Sequence, residues 1–337
     1  MKAYFSYLTK TKWLQTVVMA LIPTFIFVLG LALNNPEGSS RGLLPNNFGI
    51  SVIYISIVSI VIVVFRYSSL KNPKEVDLYY ALPISRKKLY LVHALFGFLQ
   101  LMFVWTVMFI FGFMTFLMIS QGYYNAGFIL LLYIVAILYL AILFSITIFI
   151  FLRANTIFDG IAFILLFHIL FLFISLFLSN GVLPFFQMFG LNPFYALSSW
   201  TLYLLSLANP RPSGYSTAYF MNSFLIIIFN TLLFMSLSIV SFIYNYKTIE
   251  LNQTEKIGQI SDGKFGYRLY IPLIMIFAIS SIFFIGAIIT WLLIGIFVSA
   301  GFIGFFIFRR TAKIKLIDVG YIAVPAIIGI LLGILIN

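Results

Sequence analysis

Nine stretches of this sequence carry no Asp, Glu, Lys or Arg and read almost continuously apolar, which decides what the chain can become. They lie near 14–34, 48–65, 90–118, 127–152, 160–179, 217–243, 271–288, 291–308 and 319–336. An α-helix rises about 1.5 Å per residue, so about 20 such residues cross the ~30 Å hydrocarbon layer of a bilayer. Lipid offers no hydrogen bonds, and a spanning chain must satisfy its backbone within helices or a closed barrel. The expected fold is therefore an all-α polytopic membrane protein with about nine transmembrane helices. Six spans fill residues 1–243, a polar linker covers 244–270, and three additional spans occupy 271–337. The 38 uncharged residues 271–308 are read as a hairpin turning around Thr290 and Trp291.

Composition agrees. Sixty-three per cent of the residues are hydrophobic and 8% charged, whereas soluble domains are roughly half apolar and a quarter charged. Disordered, collagen-like and disulfide-stapled classes are excluded by the same figures. With no cysteine in the sequence, thiol catalysis and thiolate metal sites are excluded too.

The net charge of +12 resolves into topology. With the N-terminus in the cytoplasm, the inner segments are 1–13, 66–89, 153–159, 244–270 and 309–318. They hold 18 of the 20 Lys and Arg, and only Arg41 and Arg211 fall outside. This is a strong positive-inside bias. It places the C-terminus outside and removes any need for a nucleic-acid partner. No cleavable signal peptide is expected, since the first apolar run is long enough to span. Residues 1–13 alternate aromatic rings with Lys2, Lys10 and Lys12, the pattern of an interfacial helix on the inner headgroups.

Little in the sequence points to catalysis. The eight acids, Glu37, Glu75, Asp77, Asp159, Glu250, Glu255, Asp262 and Asp318, all fall in loops or at span ends. An acid-based ion relay inside the membrane thus lacks its parts. There is no HExxH, GxSxG or GxxxxGK[ST] motif, so metal, serine and P-loop chemistry are absent. The chain is expected to be no enzyme and to bind no cofactor or metal. His168 is the one ionisable residue near a span centre, either a functional group or an imidazole bonded to a neighbouring helix. Gly329 and Gly333 form a GxxxG suited to close helix approach. Pro23 and Pro325 are expected to kink their helices.

One loop is unusually organised. Residues 66–95 read RYSSLKNPKEVDLYYALPISRKKLYLVHAL. Asn72 is a good N-cap, Pro73 suits the first helical position, and Glu75 favours the helix start. Val76, Tyr79 and Tyr80 share one face. Pro83 stops the helix after about two turns, and Ser85 can cap a second helix that carries Arg86, Lys87 and Lys88 into the third span. A short amphipathic helix followed by a sharp turn is therefore expected.

The string LYYALPISRKKLYLVHALFGF resembles the LPISRKKL segment of ATP-binding-cassette exporter permeases of the second type, nearest to larger low-GC Gram-positive members with extra C-terminal spans. The resemblance implies that this segment is the cytoplasmic coupling helix seated in a separate ATPase subunit, with Glu75, Asp77, Leu78, Tyr79, Leu82, Pro83, Arg86, Lys87 and Lys88 as coupling residues. Tyr79, Leu82 and Pro83 would make the buried contact, and Glu75, Asp77 and Arg86 would orient it through charge pairs. The resemblance further implies a six-span core over 1–243 with an outer re-entrant loop at 180–216. His168, Phe185, Phe186, Pro193 and Phe194 would line the path or outer gate. The implied partners are two copies of an ABC ATPase, which bind ATP and Mg, a second permease chain, identical or homologous, and the lipid bilayer. The implied location is the bacterial cytoplasmic membrane. After the sixth span, YNYKTIELNQ at 244–253 keeps an acid, Glu250, where some relatives have YRKR-x-SE-x-AG, but Asn252 and Gln253 replace the small pair.

The expected function is the permease subunit of an exporter for an amphipathic or lipophilic cargo, such as a peptide, antibiotic or lipid-like molecule. Two alternatives stay open: a non-transporting sensor or immunity subunit, and a secondary transporter independent of ATP. A lipid-modifying enzyme lacks a visible catalytic constellation.

Overall fold

In the computed structural model of this chain, the described residues are 2–33, 44–81, 83–120, 126–178, 200, 203–204, 217–251, 257–261, 263, 265–283, 287–311, 313–314 and 316–336. Every regular element among them is helical. We label the α-helices α1 (Lys2–Leu33), α2 (Leu44–Tyr67), α3 (Pro73–Tyr80), α4 (Arg86–Ser120), α5 (Ala126–Arg153), α6 (Ile157–Phe177), α7 (Thr217–Thr248), α8 (Tyr267–Ile282), α9 (Ala287–Arg309) and α10 (Leu316–Ile336). Short 3₁₀ turns follow α2 and α7.

Eight of these helices are long and apolar enough to cross a membrane. Large apolar side chains such as Leu21, Phe25, Ile134 and Leu331 stand exposed along them, as expected where the surrounding solvent is hydrocarbon. The chain is thus a multi-pass helical membrane protein by length and composition. The ninth stretch expected from the sequence is α8, which has 16 residues, short of the roughly 20 that a full crossing takes.

Two details differ from the sequence expectation. Residues 2–13 are not a helix separate from the first span. Helix α1 runs unbroken from Lys2 to Leu33 and continues through Pro23. No Gly or Pro interrupts its first turns, and the hydroxyls of Thr9, Thr11 and Thr16 fold back onto Ser6, Tyr7 and Lys12 carbonyls. The hairpin in 271–308 also turns earlier than Thr290 and Trp291, which both lie inside α9. Helix α8 ends at Ile282, and the Thr290 hydroxyl donates to the Ile282 carbonyl at 3.2 Å. That bond satisfies one of the terminal carbonyls that a helix leaves open.

The chain folds as two compact units. The first draws on residues 1–67, 77–148 and 193–252. In it α4 is the central element, packing on α1, α2 and α7. Gly112 of α4 faces the Phe27 ring, and Gly97 faces Phe144. Both are places where a larger residue would displace an aromatic side chain.

The second unit draws on residues 68–76, 149–192 and 253–337. Helix α8 is its centre, packing on α6, α9 and α10. Phe163 of α6 meets Tyr270 and Phe308, and Tyr267 stacks on Phe308 at 5.5 Å. The GxxxG glycines of α10 both face α8 and its C-terminal cap. A Cβ on Gly329 would come within 2.9 Å of the Ile276 carbonyl, and one on Gly333 would enter the Phe283 ring. Small residues let the two backbones approach closely. Helix α6 thus groups with the C-terminal helices in this unit.

Candidate functional site

Local chemistry sets the short helix α3. The Asn72 side-chain oxygen accepts from the Lys74 N–H at 3.1 Å, and its amide donates to Glu75 at 2.9 Å. The Glu75 and Val76 amides close on the Asn72 carbonyl. These are the bonds of an N-cap, and Pro73 supplies a first-turn residue with no N–H to satisfy. The helix spans eight residues and ends at Tyr80. Ser85 then caps α4, accepting from the Lys88 N–H at 3.4 Å.

The surface of this element is accessible in part. Pro73, Lys74, Glu75, Pro83, Ser85 and Lys88 are exposed, whereas Val76 is buried. Asp77, Leu78 and Tyr79 lie on the helix backbone, but their side chains, and Leu82 altogether, lie outside the described residues. Phe185, Phe186, Pro193 and Phe194, with most of 180–216, lie outside them as well.

Within the chain, Glu75, Arg86 and Lys87 make the following contacts. Glu75 belongs to the cap just described. Arg86 donates to the Glu250 carbonyl at 3.4 Å, and Lys87 pairs with the Glu250 carboxylate at 2.7 Å. The basic start of α4 is thereby tied to the turn after α7, within the first unit.

Lys71 is the residue that sequence reasoning misses. It stands one residue before Asn72, yet it is only 9% exposed. Its ammonium donates to the Leu152 carbonyl at 3.1 Å and also to the Ala154 carbonyl. These carbonyls end α5, where a cation complements the helix dipole. Residues 257–261 close on the same turn. The Gly258 N–H donates to the Asn155 carbonyl, Asn155 donates to Ile260, and the Asn155 N–H donates to Ser261 Oγ at 2.8 Å. Ser261 Oγ donates to buried Asp159 at 2.5 Å. Gly258 has φ of 84° and lies against Pro73. Part of the expected linker is thus fixed to the α5–α6 turn at the foot of α3.

Histidines and span polarity complete the picture. His168 is half-buried on α6 with its ring edge-on to Phe167. His93 is buried, its Nε2 within 3.2 Å of the Tyr4 hydroxyl. In the first unit Arg66 donates to Gln100 at 2.7 Å, and Gln100 donates to Thr16. Trp200 donates to Thr231 of α7 at 2.9 Å, which also meets the Tyr139 hydroxyl at 2.6 Å. Among the described residues no group of three His, Asp or Glu is placed to hold a metal ion.

No protein-family model, curated protein or solved structure matches this chain.

Proposed function

We propose that this chain is the membrane-spanning permease subunit of an ATP-driven ABC exporter, with the basic loops on the cytoplasmic side of a bacterial membrane. The observation that carries this reading is the short helix α3. It is capped at Asn72, lies between two long apolar helices and leaves Pro73, Lys74 and Glu75 exposed, as is Pro83 just beyond it. A plain connecting loop requires no such cap or Pro-bounded helix. The resemblance of LPISRKKL to an ATPase-coupling segment and the location of 18 of 20 basic residues in one set of loops support it further.

In this mechanism two partner ATPase subunits close on ATP and press on α3 through Tyr79, Leu82 and Pro83. The displacement reaches α4 through the short connection ending at Ser85. The Lys87–Glu250 pair holds the start of α4 to the end of α7, so the two move as one. A second permease chain, identical or homologous, completes the path. The aliphatic and aromatic spans suit an amphipathic or lipophilic cargo. The chain itself supplies binding and movement, and hydrolysis stays with the partner.

Substitution tests this directly. Tyr79→Ala and Pro83→Gly are expected to lower permease-stimulated ATP hydrolysis and transport together, while the protein stays folded in the membrane. Unchanged stimulation and transport in both variants would overturn the reading.

A further inference from the structure

We infer that a groove along α1 and α4 is a binding site for an anionic phospholipid, with one acyl chain between the helices and the headgroup drawn by the positive charge of Lys10 and Lys12 on either side of it. The groove has a volume of about 330 Å³ and is walled by Phe5, Thr9 and Trp13 of α1 and by Phe96, Leu99 and Phe103 of α4. Two further polar side chains reach it, Thr16 and Gln100, and both are engaged within the protein. Gln100 accepts from Arg66 and donates to Thr16, and Thr16 donates to the Lys12 carbonyl. What they leave for a ligand is chiefly hydrocarbon and aromatic ring, which suits an acyl chain.

The groove's height along the helices sets where the headgroup falls. Helices α1 and α4 run parallel, since Tyr4 meets His93 near their starts and Phe27 meets Gly112 further along. They have 32 and 35 residues, about 48 and 52 Å of rise, against ~30 Å of hydrocarbon. Their first turns therefore project into the headgroup zone. Trp13, 60% exposed, marks the boundary that tryptophan favours. A groove running from Phe5 to Phe103 straddles that boundary.

Charge selects the lipid class. Lys10 and Lys12 are exposed and flank the Thr9–Trp13 line on either side, by the 100° step of a helix. Beneath the groove the Arg66 guanidinium lies 4.5 Å from the centre of the Phe96 ring, one of its walls. A zwitterionic lipid would fill the apolar part equally well, but its choline offsets the phosphate charge, so a headgroup with net negative charge gains more from these cations. Two surface lysines give a preference of about tenfold or more. This site is independent of the transport reading.

The test uses the full chain in nanodiscs of phosphatidylcholine and phosphatidylglycerol, followed by native mass spectrometry of retained lipid. The wild type is expected to retain phosphatidylglycerol about tenfold over phosphatidylcholine. The double variant Lys10→Gln, Lys12→Gln should bind both equally, and Lys10→Arg, Lys12→Arg should keep the preference. Leu99→Trp, which fills the groove at an exposed position, should reduce retention of both lipids. Helical circular dichroism identifies any variant that fails to fold, and the arginine pair then carries the comparison with wild type. Equal retention of the two lipids by wild type would mark an ordinary annular shell and overturn the site. So would a preference that survives loss of both lysines.

Discussion

The two approaches to α3 look alike in the sequence and are built in opposite ways. Before the helix, Lys71 is buried and its ammonium closes the carbonyl end of α5. After it, Lys87 makes an ion pair with Glu250 whose side chains remain 34% and 47% exposed. Both lysines enter a count of loop charges with equal weight. One is an anchor whose loss leaves buried carbonyls unsatisfied. The other is a surface contact that water and salt can replace. The difference teaches that the segment before the short helix is held by a buried anchor, and the segment after it by a surface contact.

Substitutions break or sharpen this contrast. The largest effect is expected for Lys71→Met, which keeps much of the stem and removes the donor. Loss of a buried, charge-assisted hydrogen-bond pair should destabilise the protein by about 3 kcal/mol, read from unfolding in detergent micelles. A loss no greater than that of Lys87→Met would erase the distinction between the two junctions. Next comes Ser261→Ala, which removes the acceptor for the Asn155 N–H and the donor to Asp159. About 2 kcal/mol is expected, with faster hydrogen exchange confined to the α5–α6 turn and 257–261.

Asn72→Ala should cost about 1 kcal/mol as a lost N-cap. Its signature is faster amide exchange at the start of α3, with α5 unaffected. Smallest is Glu250→Gln. It should leave thermal stability unchanged, since exposed pairs contribute little, and any effect should vanish at high salt. A marked loss of stability there would show that the exit is an anchor as well.

The parts legible in the sequence are those that depend on near neighbours. Asn72, Pro73 and Glu75 announce a helix start because cap chemistry acts over three residues. Apolar stretches of about 20 residues announce spans because the bilayer sets one length. The GxxxG of α10 can be named in advance, though not its facing helix α8. What stays hidden needs residues far apart in the chain. Lys71 meets Leu152 and Ala154 across 81 and 83 positions, and Ser261 meets Asp159 across 102. Periodicity carries no signal for such pairs. The turn in 271–308 falls before the expected place because charge symmetry fixes that a turn exists without fixing where. The Thr290 hydroxyl, expected in the turn, instead bonds the last carbonyl of α8 from inside α9.

The absence of cysteine makes the most direct test simple. A single thiol introduced by Lys74→Cys, at an exposed position on α3 whose part in the cap is its backbone N–H, can be crosslinked in native membranes and the adduct probed with photoreactive ATP. The account predicts an adduct with a nucleotide-binding subunit, formed only from the cytoplasmic face of sealed vesicles. Labelling of the introduced thiol from the outer face, or formation of no nucleotide-binding adduct from the inner one, would contradict it.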